Sequence, residues 1–188
     1  MIITIARQCG TGGTDVCNIL AQHLNLQVYT REKLYSLAKE RGVLNLMSGF
    51  LDEYPTNSLL CAITNHDNVE QFSATPRKIL SELIGNQNCI IIGRCGNYIF
   101  GSRPDCTSIF LKGQLNDRVN FIAKAKNISV ADAQEYVLKQ DEQRKEYHRY
   151  YTGQEWGFAP NYDLCIDCNR IGVDNCSQII ENFINKLK

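Results

Sequence analysis

The 188-residue sequence has no net charge, because 20 basic residues balance 20 acidic ones. That removes any global field for nucleic acid or a membrane surface, so an anion site has to be local. No apolar run approaches the roughly 20 residues that span a bilayer. The start, Met1-Ile2-Ile3-Thr4-Ile5-Ala6, has no basic leader and reads as a strand rather than a targeting segment. There is no internal repeat and no low-complexity tract. The nine cysteines are odd in number and scattered, which fits reduced thiols in a cytosol. Cys165-x-x-Cys168 has metal-ligand spacing but no second pair, only Cys176 nearby, so ordinary reduced strand-end residues are expected there. The three histidines (His23, His66, His148) show no spacing of a catalytic or metal set. These absences leave a soluble cytoplasmic protein without metal-site, nucleic-acid or membrane signals, and they set no oligomeric state.

The length fits one domain, and 44% hydrophobic with 21% charged residues is an ordinary globular balance. Residues 2–6 form a β-branched apolar run that ends in Arg7-Gln8-Cys9-Gly10-Thr11-Gly12-Gly13-Thr14. A helical pattern follows, with Val16, Ile19, Leu20 and Leu24 on one face. Strand, glycine-rich turn, then helix is the arrangement that aims backbone N–H groups at an anion. Further strands are expected at 27–29, 89–92, 108–111 and 162–166. Helices are expected at 32–41, 76–84, 115–126, 130–149 and 177–187, with Ser129 and Asp132 forming a capping box. Residues 150–161 read as a loop, and so does Asp52–Asn57 within a weakly periodic stretch. Five strands alternating with helices predict an α/β three-layer sandwich, with a parallel sheet covered on both faces and the 2–6 strand central.

Three motifs carry chemistry. Phosphate-cradling loops follow G-x-x-x-x-G-K-[ST]. In that register the first glycine falls on Arg7, the second on Gly12, the lysine on Gly13 and the hydroxyl residue on Thr14. The loop alone is equally a structural strand-to-helix turn; Arg7, at its entrance, is the cation placed to replace the absent lysine. The second motif is Ile90-Ile91-Ile92-Gly93-Arg94-Cys95, which sets a guanidinium at the carboxyl edge of the sheet, where open α/β sheets bind ligands. Arginine forks phosphates through parallel hydrogen bonds, which suits an acceptor phosphate. The third is the run Lys139, Arg144, Lys145, Arg149, interleaved with Glu135, Asp141, Glu142 and Glu146. By composition alone it reads as a solvated helix face.

Together these pieces resemble the cytidylate kinase-like family of P-loop kinases. The likeness is strongest at Ile3–Thr14, at Ile90–Leu111 and at Asp141–Asp163, with Tyr150-Tyr151-Thr152-Gly153 and Asn161-Tyr162-Asp163-Leu164 among its marks. The resemblance implies one P-loop domain over 1–188, with an acceptor-binding helical insertion at 42–88 and a lid region at 115–161. It implies phosphoryl transfer from ATP, with Mg2+, to a small-molecule nucleoside monophosphate. Gly10, Thr11, Gly12, Gly13 and Thr14 then match the donor-phosphate loop, with the Thr14 hydroxyl directed to Mg2+. Arg94 matches the acceptor arginine, Arg144 and Arg149 the lid arginines, and Arg118 the arginine near the donor nucleotide. Cytidylate kinases carry Asp where this chain has Cys95, and Asp-[ST]-Gly where it has Thr30-Arg31-Glu32. With the loop lysine also missing, a nucleotide-binding regulatory or scaffold protein is the alternative.

Overall fold

The computed structural model describes residues 1–53 and 69–187. Tyr54, Pro55, Thr56 and Asn57 of the expected loop, and the middle of the expected 42–88 insertion, lie outside the described residues. Five strands, β1 (Ile2–Arg7), β2 (Gln27–Tyr29), β3 (Cys89–Ile92), β4 (Cys106–Lys112) and β5 (Leu164–Asp167), form one sheet in the order β2-β3-β1-β4-β5. Every pairing is parallel, and β1 lies in the centre between β3 and β4, as the apolar runs predict.

Strand alternation divides the core in two. Ile3, Ile5, Ile90, Ile92, Ile109 and Leu111 face one side, where they meet Val16, Cys17 and Leu20 of α1 (Gly13–Leu24). The helix at the chain's end covers the same side through Cys176, Ile180 and Ile184. Ile2, Cys89 and Ile91 face the other side, against α2 (Arg31–Glu40), α3 (Leu44–Leu51), α4 (Val69–Ile84) and α5 (Gly96–Phe100). These side chains are almost wholly removed from water, each worth roughly 1.5–3 kcal/mol on transfer. A third cluster joins α6 (Leu115–Lys126) to α7 (Val130–Thr152) through Val119, Ile122, Ala133 and Val137, and it includes Cys9 of the glycine loop. The two closing helices are the short α8 (Cys168–Ile171) and the longer α9 (Val173–Lys186).

Several helices differ from the sequence reading: the short α5 and α8 are absent from it, α9 starts four residues before the expected 177, and α7 and α4 differ most. α7 continues to Thr152 because Tyr147 and Tyr151 pack on Phe50 in the core, and it stops where Gly153 turns left-handed at φ 69. α4 starts at Val69 and carries Pro76 inside it, although proline deprives a helix of one donor. Elsewhere the caps are as expected: Ser129 Oγ accepts from Asp132 N at 3.1 Å. Among the described residues no helix is long and apolar enough to cross a membrane.

Candidate active site

The glycine loop connects β1 to α1 at the carboxyl edge of the sheet. Gly10 and Gly12 adopt φ 83 and 72, a left-handed backbone that glycine enters without steric cost. Gly10 has a second reason: a Cβ there would lie 2.4 Å from the Arg118 carbonyl oxygen. Thr11 is buried, its hydroxyl donating to Gln8 O at 2.9 Å, whereas Thr14 is exposed at the start of α1. The loop borders a cavity of about 170 Å3 that Arg7, Phe121 and Arg144 also line.

Gly13, in the lysine position, explains the missing cation. A Cβ there would meet Arg7 Cγ at 2.9 Å and Arg7 Cβ at 3.2 Å. The Arg7 stem therefore occupies the space into which a side chain at position 13 would grow. Glycine at 13 and arginine at 7 are one arrangement.

Three guanidiniums meet at the same edge. Arg7 comes from the end of β1, Arg94 from the turn after β3, and Arg144 from α7. All three converge on the carboxylate of Glu53, at the end of α3. Arg94 Nη1 donates to Glu53 Oε1, Arg7 Nη1 lies 3.6 Å from the same oxygen, and Arg144 Nε lies 3.5 Å from Oε2. Arg144 Nη1 also donates to the Arg7 carbonyl at 3.1 Å. Burial alone would raise the Glu53 carboxyl, but Arg94, Arg7 and Arg144 outweigh it and hold it at about 2. Burial and the neighbouring Arg144 lower the Arg7 guanidinium to about 10, so it stays charged at neutral pH. Gly93 makes room: a Cβ there would lie 2.7 Å from Arg7 Nη1 and 3.1 Å from Glu53 Oε1.

The other candidates separate. Arg118 is buried, its Nη1 donating to Cys9 O at 3.0 Å and to Asp141 Oδ2 at 2.6 Å, its Nε to Gly113 O at 3.0 Å. Asp141 Oδ1 in turn accepts from Cys9 N at 2.7 Å, so this pair clamps the loop to α6 and α7. Arg149 is exposed and lines a surface groove with Glu142 and Glu146, apart from the cluster. Cys165 and Cys168 are both free thiols, and Cys168 shares a side-chain hydrogen bond with Cys176. Among the described residues no three His, Cys, Asp or Glu side chains gather around a common point.

Beside the cluster is a small cavity of about 20 Å3 whose lining includes Arg7, Arg94, Arg144, Tyr147, His148 and Trp156. Arg94 Nε and His148 Nε2 are buried without hydrogen-bond partners among the described residues. Burial lowers His148 to about 4, so it is neutral at pH 7. Glu53 and His148 carry no sequence signal beyond a loop position and a lone histidine; their roles arise only from convergence of distant elements.

Residues 2–170 match the cytidylate kinase-like family. The chain belongs to that family. A cytidylate kinase of Sulfurisphaera tokodaii is 25% identical over 98% of this chain and 96% of its own length. Among solved structures, an uncharacterized protein from Eubacterium ventriosum has a TM-score of 0.76 at 24% identity, with 98% of each chain covered. A shikimate kinase from Bacteroides thetaiotaomicron has a TM-score of 0.56 at 12% identity, again covering 98% of each chain. The sheet, its helical layers and these neighbours identify a P-loop kinase fold, and the family's relation is to nucleotide kinases.

Proposed function

We propose that the protein transfers a phosphoryl group from ATP to an acceptor of the nucleoside monophosphate type. One observation carries this reading: Arg7 and Arg144 line both the glycine-loop cavity and the cavity at the Arg94 cluster. A phosphoryl group passing from one to the other stays against the same two cations. That is what a transition state with charge spread over its equatorial oxygens requires.

In this reading the loop 10–14 and the N-terminus of α1 hold the donor phosphates, and Arg7 supplies the charge that the lysine position lacks. Arg94 and Arg144 hold the acceptor phosphate. An oxygen of that phosphate attacks the γ-phosphorus, the bond to the bridging oxygen breaks, and ADP leaves with that oxygen. Mg2+, when bound, would offset the charge of the donor phosphates. The exposed Thr14 hydroxyl, at the cavity wall, fits a ligand to it. Arg118 acts through the loop, because its guanidinium is committed to Asp141, Cys9 and Gly113. Arg149, outside the cluster, would reach the transferring group only by a change of α7.

The curated cytidylate kinase relative supports a nucleotide acceptor. Cys95, buried where cytidylate kinases carry a carboxylate, argues for different contacts to the base. A nucleotide-binding regulatory protein without turnover is the second reading, favoured by the small size of the cavity beside Glu53. ADP release from ATP and Mg2+, measured with a panel of nucleosides and nucleoside monophosphates, separates the two. The kinase reading expects turnover with at least one monophosphate; bound ATP with no turnover across the panel sustains the regulatory one.

A further inference from the structure

Glu53 holds an unusual place in this site. Among the described residues five non-glycine positions have positive φ. Asn25 and Asn127 cap helices, a role asparagine tolerates. The other three, Glu53 at φ 55, Arg94 at 54 and Cys95 at 53, flank the arginine cluster. Each costs of order 1 kcal/mol and persists only where the surroundings enforce it. The strain gathers where one carboxylate meets three guanidiniums.

That carboxylate fits its surroundings poorly. Among the described residues it makes one hydrogen bond, to Arg94, and leaves Arg7 and Arg144 at 3.6 and 3.5 Å, beyond hydrogen-bonding reach. Among the described residues, three guanidiniums against one carboxylate leave two positive charges in a buried site. Arg94 and His148, 4% and 3% exposed, keep Nε and Nε2 unpartnered beside it. The adjoining cavity of about 20 Å3 holds little more than one water. The site has more donors and more positive charge than two carboxylate oxygens can satisfy. A phosphomonoester offers three terminal oxygens and a second negative charge.

The geometry points to Glu53 as a tethered stand-in for the acceptor phosphate, which a dianionic phosphate displaces and a monoanionic carboxylate does not. This rests on the reading of the arginine cluster as the acceptor site, and makes Glu53 a residue that determines specificity. A tethered group competes at an effective concentration in the millimolar range. A soluble carboxylate brings the same chemistry without the tether and loses the exchange. A phosphate brings an added charge and a third oxygen to Arg7, Arg94 and Arg144, and so wins it. The acceptor is thereby restricted to phosphate esters, and carboxylate-bearing metabolites are refused.

The test is calorimetric binding of inorganic phosphate and of acetate to the full chain, as wild type and as Glu53→Gln. The wild type should bind phosphate, and acetate at a hundredfold higher concentration should not displace it. Glu53→Gln removes the competing charge and should bind phosphate about tenfold or more tightly, since the competent state no longer has to be reached against the plug. Arg7 and Arg144 also border the glycine loop but Arg94 does not, so the Glu53→Gln shift should vanish in an Arg94→Gln background; a shift that persists there reads the loop and overturns the proposal. Equal or weaker phosphate binding by a folded Glu53→Gln protein overturns the proposal and makes Glu53 an organiser of the arginines. If the variant does not fold, the wild type decides: acetate displacing phosphate at equal concentration overturns it. Turnover in the monophosphate panel without the Glu53 shift leaves the kinase reading standing and removes this one. The shift without turnover does the reverse.

Discussion

At the scale of single residues, Arg7 carries the largest claim. Its stem fills the space beside Gly13, and its guanidinium lies between the loop and Glu53. Arg7→Ala should weaken ATP binding by roughly 1.5–3 kcal/mol, the worth of a hydrogen bond to a charged group, with the fold intact. Calorimetry of ATP binding to both proteins checks this, and equal affinities would leave Arg144 as the loop cavity's cation. His148 gives a pH prediction. Its ordinary value of 6.5 falls to about 4 in the fold through burial. The unfolded chain therefore takes up a proton near pH 6.5 that the folded chain refuses until about pH 4. Stability should fall across that window as the medium is acidified, by of order 3 kcal/mol. Glu53 acts in a lower window: held at about 2 against an ordinary 4.5, it loses its contribution as pH falls from 4.5 through 2. Urea midpoints from pH 7 to 4.5 should therefore slope downward in the wild type and flatten in His148→Gln. An unchanged slope in the variant would remove His148 as the cause.

At the scale of elements, the clamp between the loop and the α6–α7 pair sets the site's geometry. Arg118 and Asp141 are both buried, and between them they hold Cys9 N and Cys9 O at the loop's entrance. Asp141→Asn would leave the Arg118 guanidinium buried without its charge partner. A loss of about 3–5 kcal/mol in denaturant unfolding is expected, against under 1 kcal/mol for Glu142→Gln on the exposed side of α7. Similar losses at the two positions would contradict the clamp. The boundaries of α6 were legible in sequence because an apolar face simply ends at Lys126-Asn127. The end of α7 was not, because Tyr150 and Tyr151 look like loop aromatics until Phe50, far along the chain, gives Tyr151 a packing partner. The start of α4 was hidden by Pro76, which usually opens a helix rather than sitting inside one.

At the scale of the whole molecule, a central β1 places its loop at the carboxyl edge, and β3 beside it delivers Arg94 to the same edge. That much follows from runs of isoleucine ending in glycine and arginine, so the loop, Arg7 and Arg94 could be read directly from the chain. Arg144 looked like one cation of a solvated helix face, and only the family resemblance separated it from Lys145. Glu53 was invisible, because nothing local distinguishes it from Asp52, which instead pins α3 to α2 through Arg31 Nη2 at 2.5 Å. The account's central claim is that the two cavities sharing Arg7 and Arg144 form one phosphoryl-transfer site. Its most direct test is calorimetry with a linked ligand: adenosine joined through five phosphates to the nucleoside of the best monophosphate acceptor. The account predicts one linked molecule per chain, bound at least about a hundredfold more tightly than ATP, the gain expected when one molecule engages two joined sites. A linked ligand that binds no better than ATP would contradict it.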